Sequence, residues 1–240
     1  MKLNACAYED FRALNLAVNE CEERKIVIEN CIGQRYIGCG VSNREISVVG
    51  TPGNALGAYL DGGTIRLKGN AQDATGDTMN DGEILIDGNS GDAAGYAMRG
   101  GKIMIKGNAG YRAGIHMKAY EDKVPVLVIG GKAGSFLGEY QAGGIIVVLG
   151  LGSDKTPVGN FCGTGMHGGK IFIRCKRLPH DLPPQVKAKR ASEEDLKEIG
   201  GILAEFCKEF SVDPEELQNE HFYLLTPDSA NPYKQLYVTN

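Results

Sequence analysis

The residues of this chain best suited to chemistry are its four histidines and seven cysteines. A metal site needs three or four converging ligands. His116 and His167 each adjoin a methionine, but they stand more than two repeat lengths apart, and the cysteines include no C-x-x-C pair. We therefore predict no metal site on this chain.

Two further patterns point to ligands but lack the required context. The aspartates at 73, 77, 81, 87 and 92 resemble those of calcium-binding repeats, yet the strict nine-residue period is missing. Gly163–Gly168 reads G-x-G-x-x-G, but a strand follows it where dinucleotide binding requires a helix. Because no Ser/His/Asp, phosphate-loop or paired-carboxylate motif occurs, we predict no catalytic or cofactor-binding residue and no activity of the isolated chain.

Glycine recurs with a period of nineteen residues, which indicates that most of the chain is built from structural repeats. One series is Gly38, Gly57, Gly76, Gly95 and Gly114, continued by Gly138, and a second is Gly50, Gly69, Gly88 and Gly107. Between them lie short alternating runs such as Gly62–Gly69, with apolar Ile46, Ile65, Ile84 and Ile103 in one column. Such repeats predict a mainly β chain, a parallel β-helix of about seven coils.

The turns of each coil have their own pattern. Glycines at the corners predict positive φ angles, which cost glycine no steric energy. Asn70, Asn89 and Asn108 fall in one column of the period. We predict that they form a hydrogen-bonded ladder in a turn, because asparagine tolerates left-handed backbone.

The two ends differ from the middle, and we predict three regions: residues 1–25, 26–176 and 177–240. The first holds an amphipathic helix that caps the first coil, the second is the β-helix, and the third is a linker and a helical tail. The tail carries an apolar stripe of Leu196, Ile199, Leu203, Phe206 and Phe210. We predict that this stripe covers the open strand edge after Ile173 or joins a second copy of the chain, giving a homo-oligomer.

Composition excludes several classes of partner. The net charge is −4, and the basic run 187–190 stands alone, so nucleic-acid binding is not expected. No apolar stretch approaches the roughly 20 residues of a membrane span. With no signal-peptide h-region and an odd number of scattered cysteines, the chain is expected to be cytoplasmic with reduced thiols.

Several runs resemble the C-terminal GXGXG-repeat domain of the glutamate synthase large subunit. GEYQAGGIIVVLG (138–150) is similar to its C-E-Y-M-T-G-G-x-V-V-V-L-G, and GNFCGTGMHGG (159–169) to its G-R-N-F-A-A-G-M-S-G-G. Weaker matches are QRYIG (34–38), GNALGAYL (53–60) and GNAQDATG (69–76). The repeat GNAGYRAG (107–114) also resembles the glycine-repeat subunit of formylmethanofuran dehydrogenase.

The resemblance, which covers about residues 26–175, implies a right-handed parallel β-helix without catalytic residues. It implies a scaffold role in a glutamate synthase complex, which converts glutamine and 2-oxoglutarate to glutamate in nitrogen assimilation. The expected partners are a glutamine amidotransferase and an FMN-dependent synthase subunit, with FMN and iron–sulfur clusters on the partner. The alternatives are a β-helix subunit of a molybdenum or tungsten formylmethanofuran dehydrogenase-like enzyme and, more remotely, an independent polysaccharide-active enzyme.

Overall fold

The computed structural model describes residues 1–179, 181–218 and 220–228, so the end of the predicted tail lies outside the described residues. The described residues are mainly β, as predicted, with eleven strands in one sheet. The strands are β1 Lys2–Asn4, β2 Lys25–Ile32, β3 Glu45–Thr51, β4 Asp61–Lys68, β5 Asp81–Asp87, β6 Lys102–Ile105, β7 Val126–Ile129, β8 Ala142–Val148, β9 Gly168–Arg174, β10 Val186–Arg190 and β11 Phe222–Pro227. The helices are α1 Phe11–Glu20, α2 Glu193–Phe210 and α3 Pro214–Gln218, preceded by a short 3-10 turn at Ala5–Ala7.

The sheet follows the order of the sequence from β1 to β9, and every one of these neighbours is parallel. The register places Ile46 beside Ile65, Ile65 beside Ile84 and Ile84 beside Ile103. All four side chains are buried. A shift of nineteen residues along the sequence is therefore a shift of one strand across the sheet.

The segments between the strands stack in the same order. The Gly76 amide donates to the Leu56 carbonyl, the Gly95 amide to Thr75 and the Gly114 amide to Ala94, each at 2.8 Å. A second ladder of single bridges joins Ala71 to Ser90 to Ala109 to Ala133 to Val158. Each turn is thus hydrogen-bonded to the turn of the preceding repeat, just as each strand is paired with the preceding strand.

Side chains on the two faces of the sheet enter two different cores. In β5, Ile84 and Ile86 point into the main core, which contains the isoleucine column and the buried side chains of the turns. Leu85, between them, points to the other face and enters a second core with α2. The sequence pattern predicted strands with one buried face. In β5 the other face is buried as well, because α2 covers it.

At the N-terminal end, the open edge of β2 is covered by the three-residue strand β1. α1 begins after Asp10, whose side chain accepts from the Arg12 and Ala13 amides, and it buries Leu14 and Val18 in the main core. The predicted helix therefore packs against the main core at this end, while β1 pairs with the strand edge. A short strand can supply the missing hydrogen bonds of an edge, which a helix cannot.

At the C-terminal end, the tail is only partly helical, which corrects the expectation of a linker and helices alone. β11 pairs antiparallel with β9, and β10 pairs antiparallel with β11. β9 ends in a buried Arg174, whose guanidinium donates to the carbonyls of Leu149, Leu217 and Glu216, and burial lowers its pKa. In the described ranges, no helix is long and apolar enough to cross a lipid bilayer.

Candidate interaction surface

The first glycine series forms a column of left-handed corners. Gly38, Gly57, Gly76, Gly95, Gly114 and Gly138 have φ angles between +63° and +71°. At Gly76, an added Cβ would also overlap the Cδ1 atom of Ile103 in the core. The glycines in this column are therefore favoured by backbone conformation, and at Gly76 by packing as well.

The second glycine series has a different cause, which corrects the general expectation of positive φ. Gly50 and Gly69 have φ of +124° and +141°, but Gly88 and Gly107 are not among the residues with positive φ. At Gly88 an added Cβ would overlap the carbonyl oxygen of Gly69 in the preceding coil. Close approach of neighbouring backbones therefore excludes a side chain here.

The asparagine column forms a ladder between coils. Asn70 Oδ1 accepts from the Asn89 amide, Asn89 Oδ1 from the Asn108 amide and Asn108 Oδ1 from the Lys132 amide, each at 2.8 Å. None of the three asparagines has positive φ, so left-handed backbone is not the reason for them. Each side chain instead supplies an acceptor to the amide of the next coil.

Two of the aspartates considered for calcium act in the same way. Asp73 Oδ1 accepts from the Asp92 amide at 2.9 Å, and Asp92 Oδ1 accepts from the Tyr111 amide at 2.8 Å. Within the described part of the chain, no three His, Cys, Asp or Glu side chains are grouped so as to hold a metal ion. These two carboxylates thus connect successive coils.

Two further left-handed columns flank the corner glycines, one two residues before and one two residues after. All of their members have φ between +49° and +68°. The first column is Tyr36, Ala55, Ala74, Ala93, Arg112, Phe136 and Phe161, and the second is Gly40, Tyr59, Thr78, Ala97, His116, Tyr140 and Gly165. Small residues dominate the third and fourth coils, whereas large aromatic and charged residues occupy the later ones.

In the later repeats, large side chains of these columns lie at the surface together with two neighbouring tyrosines, and we call this set the aromatic face. It consists of Tyr96, Tyr111, Arg112, His116, Phe136, Tyr140 and Phe161. His116 stacks on Tyr140 with ring centroids 5.1 Å apart, and Phe136 stacks on Phe161 at the same distance. Tyr111 and Phe161 are nonetheless half exposed.

An ion pair fixes the cation of this face. Arg112 Nε donates to Glu139 Oε2 at 3.0 Å, and the Glu139 side chain is only 12% exposed. The Arg112 guanidinium lies over the Phe136 ring, 4.9 Å from its centroid. Arg112, Phe136 and Phe161 therefore form one ordered stack along three successive repeats.

The conformation of these residues makes the face unusual. Left-handed backbone costs a residue other than glycine about 1–2 kcal/mol, and it is rare for bulky side chains. Arg112, His116, Phe136, Tyr140 and Phe161 all adopt it while their side chains remain at the surface. Tyrosine and arginine are also, with tryptophan, enriched among the interface residues that contribute most binding energy. The aromatic face is thus the best candidate for a binding surface.

The apolar stripe of the tail packs within the molecule. Ile199, Phe206 and Phe210 are buried against the outer face of the sheet, and Leu196 and Leu203 are partly buried beside them. The outer-face partners are Leu85, Met104, Val126, Val128, Ile145, Val147 and Phe172. The stripe therefore lies on the face of the sheet, while β11 takes the open edge after Ile173 that the stripe was expected to cover.

Ion pairs align α2 across the strands. Lys170 of β9 pairs with Glu198 at 2.5 Å, Lys102 of β6 pairs with Glu205, and Arg66 of β4 pairs with Glu209. The helix thus crosses the sheet from β9 to β4. The side chains that suggest contact with a second copy are used within one chain.

Three of the cysteines are buried and unsuited to nucleophilic chemistry. Burial raises the pKa of Cys31 to about 11, of Cys162 to about 12 and of Cys175 to about 11. These thiols are therefore protonated near neutral pH, when a thiolate would be the reactive form. The string 163–168 leads directly into β9, as its sequence predicted, and His167 Nδ1 lies 3.2 Å from the Gly165 carbonyl oxygen.

The stacked, glycine-cornered repeats define a repeat protein. The chain belongs to the GXGXG motif family, which it matches over residues 14–224. It is 46% identical over 243 residues to an uncharacterized protein of Methanocaldococcus jannaschii, covering 95% of this chain and 93% of that protein.

The fold is also similar to a solved structure. A chain in the crystal structure of the formyltransferase/hydrolase complex of Methylorubrum extorquens, determined with methylofuran, superposes with a TM-score of 0.63. The two chains are 21% identical, and the match covers 85% of this chain and 74% of that one. At this identity the similarity establishes a shared fold.

Proposed function

We propose that residues 26–176 form a right-handed parallel β-helix of about seven coils. The nineteen-residue register of β3 to β6, the bridges from Ala71 to Val158 and the stacked glycine corners support a closed coil. Parallel strands joined by a crossover are right-handed in nearly all proteins, which supports the handedness. Residues 1–25 and 177–240 are then its two end regions.

We further propose that the chain is a non-catalytic scaffold subunit of an oxidoreductase complex. The aromatic face carries this proposal, because its large side chains are exposed, ordered by stacking and held on unfavourable backbone. A partner that buries Tyr111 and Phe161, which are already half buried, would gain for each ring about half of the roughly 1.5–3 kcal/mol of a full side-chain burial. The stacked coils give the surface a fixed geometry, which is what a subunit that positions others requires.

The complex that we favour is a glutamate synthase. Two runs resemble the glutamate synthase domain, 138–150 and 159–169. They include Tyr140 and Phe161 of the aromatic face, and Glu139, which forms the ion pair with Arg112. The partners are then a glutamine amidotransferase and an FMN-dependent synthase subunit that carries the FMN and iron–sulfur clusters. This chain contributes geometry between the source of ammonia and the flavin site.

The second candidate is a β-helix subunit of a formylmethanofuran dehydrogenase-like enzyme. The observation that favours it is the fold shared with a chain of the Methylorubrum extorquens complex. The two candidates differ in the partner that the aromatic face binds, and both leave the chemistry to that partner.

Co-expression with the candidate partners tests the proposal. We expect the native chain to form a stable complex with the amidotransferase or synthase subunit. The double variant Phe136→Ala, Phe161→Ala should bind that subunit at least tenfold more weakly, because two aromatic anchors are removed. Tyr59→Ala is the matched control, since Tyr59 is exposed and left-handed but lies outside the aromatic face. Equal assembly of both variants would show that the aromatic face is not the contact.

A further inference from the structure

A half-open cavity of about 430 Å³ opens beside α2 and shares no residue with the aromatic face. Its walls are mainly apolar: Leu196 and Leu203 of α2, Leu217 of α3 and Phe222 of β11. Its volume falls within the roughly 300–1,000 Å³ of small-molecule sites, which are lined in the same way. We call it the tail cavity.

Gly200 keeps part of this space open. It lines the cavity in the middle of the 18-residue helix α2, and an added Cβ would meet no heavy atom within 4 Å. Glycine in a helix interior costs about 1 kcal/mol relative to alanine. Neither backbone conformation nor close packing requires glycine here or at the neighbouring Gly201, and only Gly200 lines the cavity.

A polar group stands at one end of the cavity. Arg190, at the end of β10, also lines it, and its Nη2 lies 2.8 Å from His221 Nδ1. Glu220 is the acidic residue of the lining, and it pairs with Lys176 at 3.8 Å. A guanidinium has five N–H donors, so Arg190 retains donors for an anion after its contact with His221.

We propose that the tail cavity binds a small amphipathic anion, with its apolar body between α2 and α3 and its carboxylate or sulfonate on Arg190. An apolar wall with a cation at one end is complementary to that ligand class. Because α2 and α3 both contact the ligand, binding stabilises the packing of the tail on the sheet.

Two fluorescent probes with the same aromatic body test the assignment on the full chain. Anilinonaphthalene sulfonate carries the anion, and phenylnaphthylamine does not. We expect both to bind, with the anionic probe the tighter. Failure of the full chain to bind either probe would overturn the proposal, because the cavity would then be closed or already filled by the protein.

Paired variants locate the binding. Gly200→Leu fills the cavity and should weaken both probes at least about tenfold, whereas Gly201→Leu, on a neighbouring glycine that does not line the cavity, should leave both within about twofold. Both variants should raise the melting temperature, because each removes a helix glycine. Equal loss or equal retention of binding in the two variants would contradict the site.

The polar end is tested separately. Arg190→Gln should weaken the anionic probe about tenfold, the usual value of a charge-assisted hydrogen bond, and leave the neutral probe unchanged. If both probes weaken alike, Arg190 supports the fold of the cavity and does not bind the anion.

Discussion

At the residue scale, neighbouring positions in one turn have opposite requirements. Gly76 has φ of +67° and no room for a side chain, while Ala74 has φ of +57° with a side chain in place. Gly76→Val should destabilise by about 2–4 kcal/mol, from backbone strain and from overlap with Ile103. Ala74→Gly should stabilise by up to about 1 kcal/mol, because it removes the left-handed penalty. Urea unfolding measures both, and destabilisation by Ala74→Gly together with tolerance of Gly76→Val would refute the corner geometry.

The asparagine ladder gives a second prediction at this scale. Asn89→Ala removes the acceptor of the Asn108 amide and the donor to Asn70 Oδ1. We expect a loss of about 1–2 kcal/mol, since each net hydrogen bond contributes about 0.5–1.5 kcal/mol. Asn89→Asp retains the acceptor and should lose less. Thermal unfolding measures the stability of the two variants. Equal stability of Asn89→Ala and the native chain would contradict a structural ladder.

At the element scale, α2 is held on the sheet by apolar burial. Phe206 is fully buried in the second core, so Phe206→Ala should destabilise by about 3–5 kcal/mol. Lys208→Ala, on the exposed side of the same helix, should change stability by less than about 0.5 kcal/mol. Similar unfolding midpoints for the two variants in denaturant would mean that α2 does not pack on the sheet as described.

The loop between β6 and β7 contains Lys123, which forms an ion pair with Asp81 of β5. The pKa of Asp81 is held below its ordinary value of 3.8 by a hydrogen bond from Lys123 and by the Gly82 amide. A lowered folded pKa means that the contribution to stability is complete above pH 3.8 and is lost as the pH falls through the folded value.

The pair is half exposed and screened by solvent, so its effect on stability should be small. Asp81→Asn should therefore lower the melting temperature slightly near neutral pH, and the difference from the native chain should vanish in acid. A difference that persists below the pH at which Asp81 is protonated would assign the loss to packing of the loop.

At the scale of the whole molecule, the sequence predicts best what repeats at a constant step. The column from Ile46 to Ile103 follows from the nineteen-residue period because each strand adds one interval. The aromatic face escapes this reasoning, since Arg112, Phe136 and Phe161 are 24 and 25 residues apart after insertions lengthen the repeats. Their shared position, two residues before a corner glycine, is the signal that finds them.

The tail shows the other limit of sequence reasoning. The stripe of α2 predicts an apolar helix but not its partner, because the outer faces of β6 to β9 offer the same chemistry as a second copy would. β11 carries an apolar run whose pairing depends on the free edge of β9, a feature created by the rest of the fold. The edge and the outer face exist only once the coils are stacked.

We propose that this chain positions the catalytic subunits of a glutamate synthase and performs no chemistry itself. The most direct measurement is glutamine-dependent glutamate formation by the purified amidotransferase and synthase subunits, with and without this chain. We expect no turnover by the chain alone, and at least tenfold higher coupled activity when it joins the two subunits in a complex. Turnover of glutamine by the isolated chain, or full coupling between the two subunits in its absence, would contradict the claim.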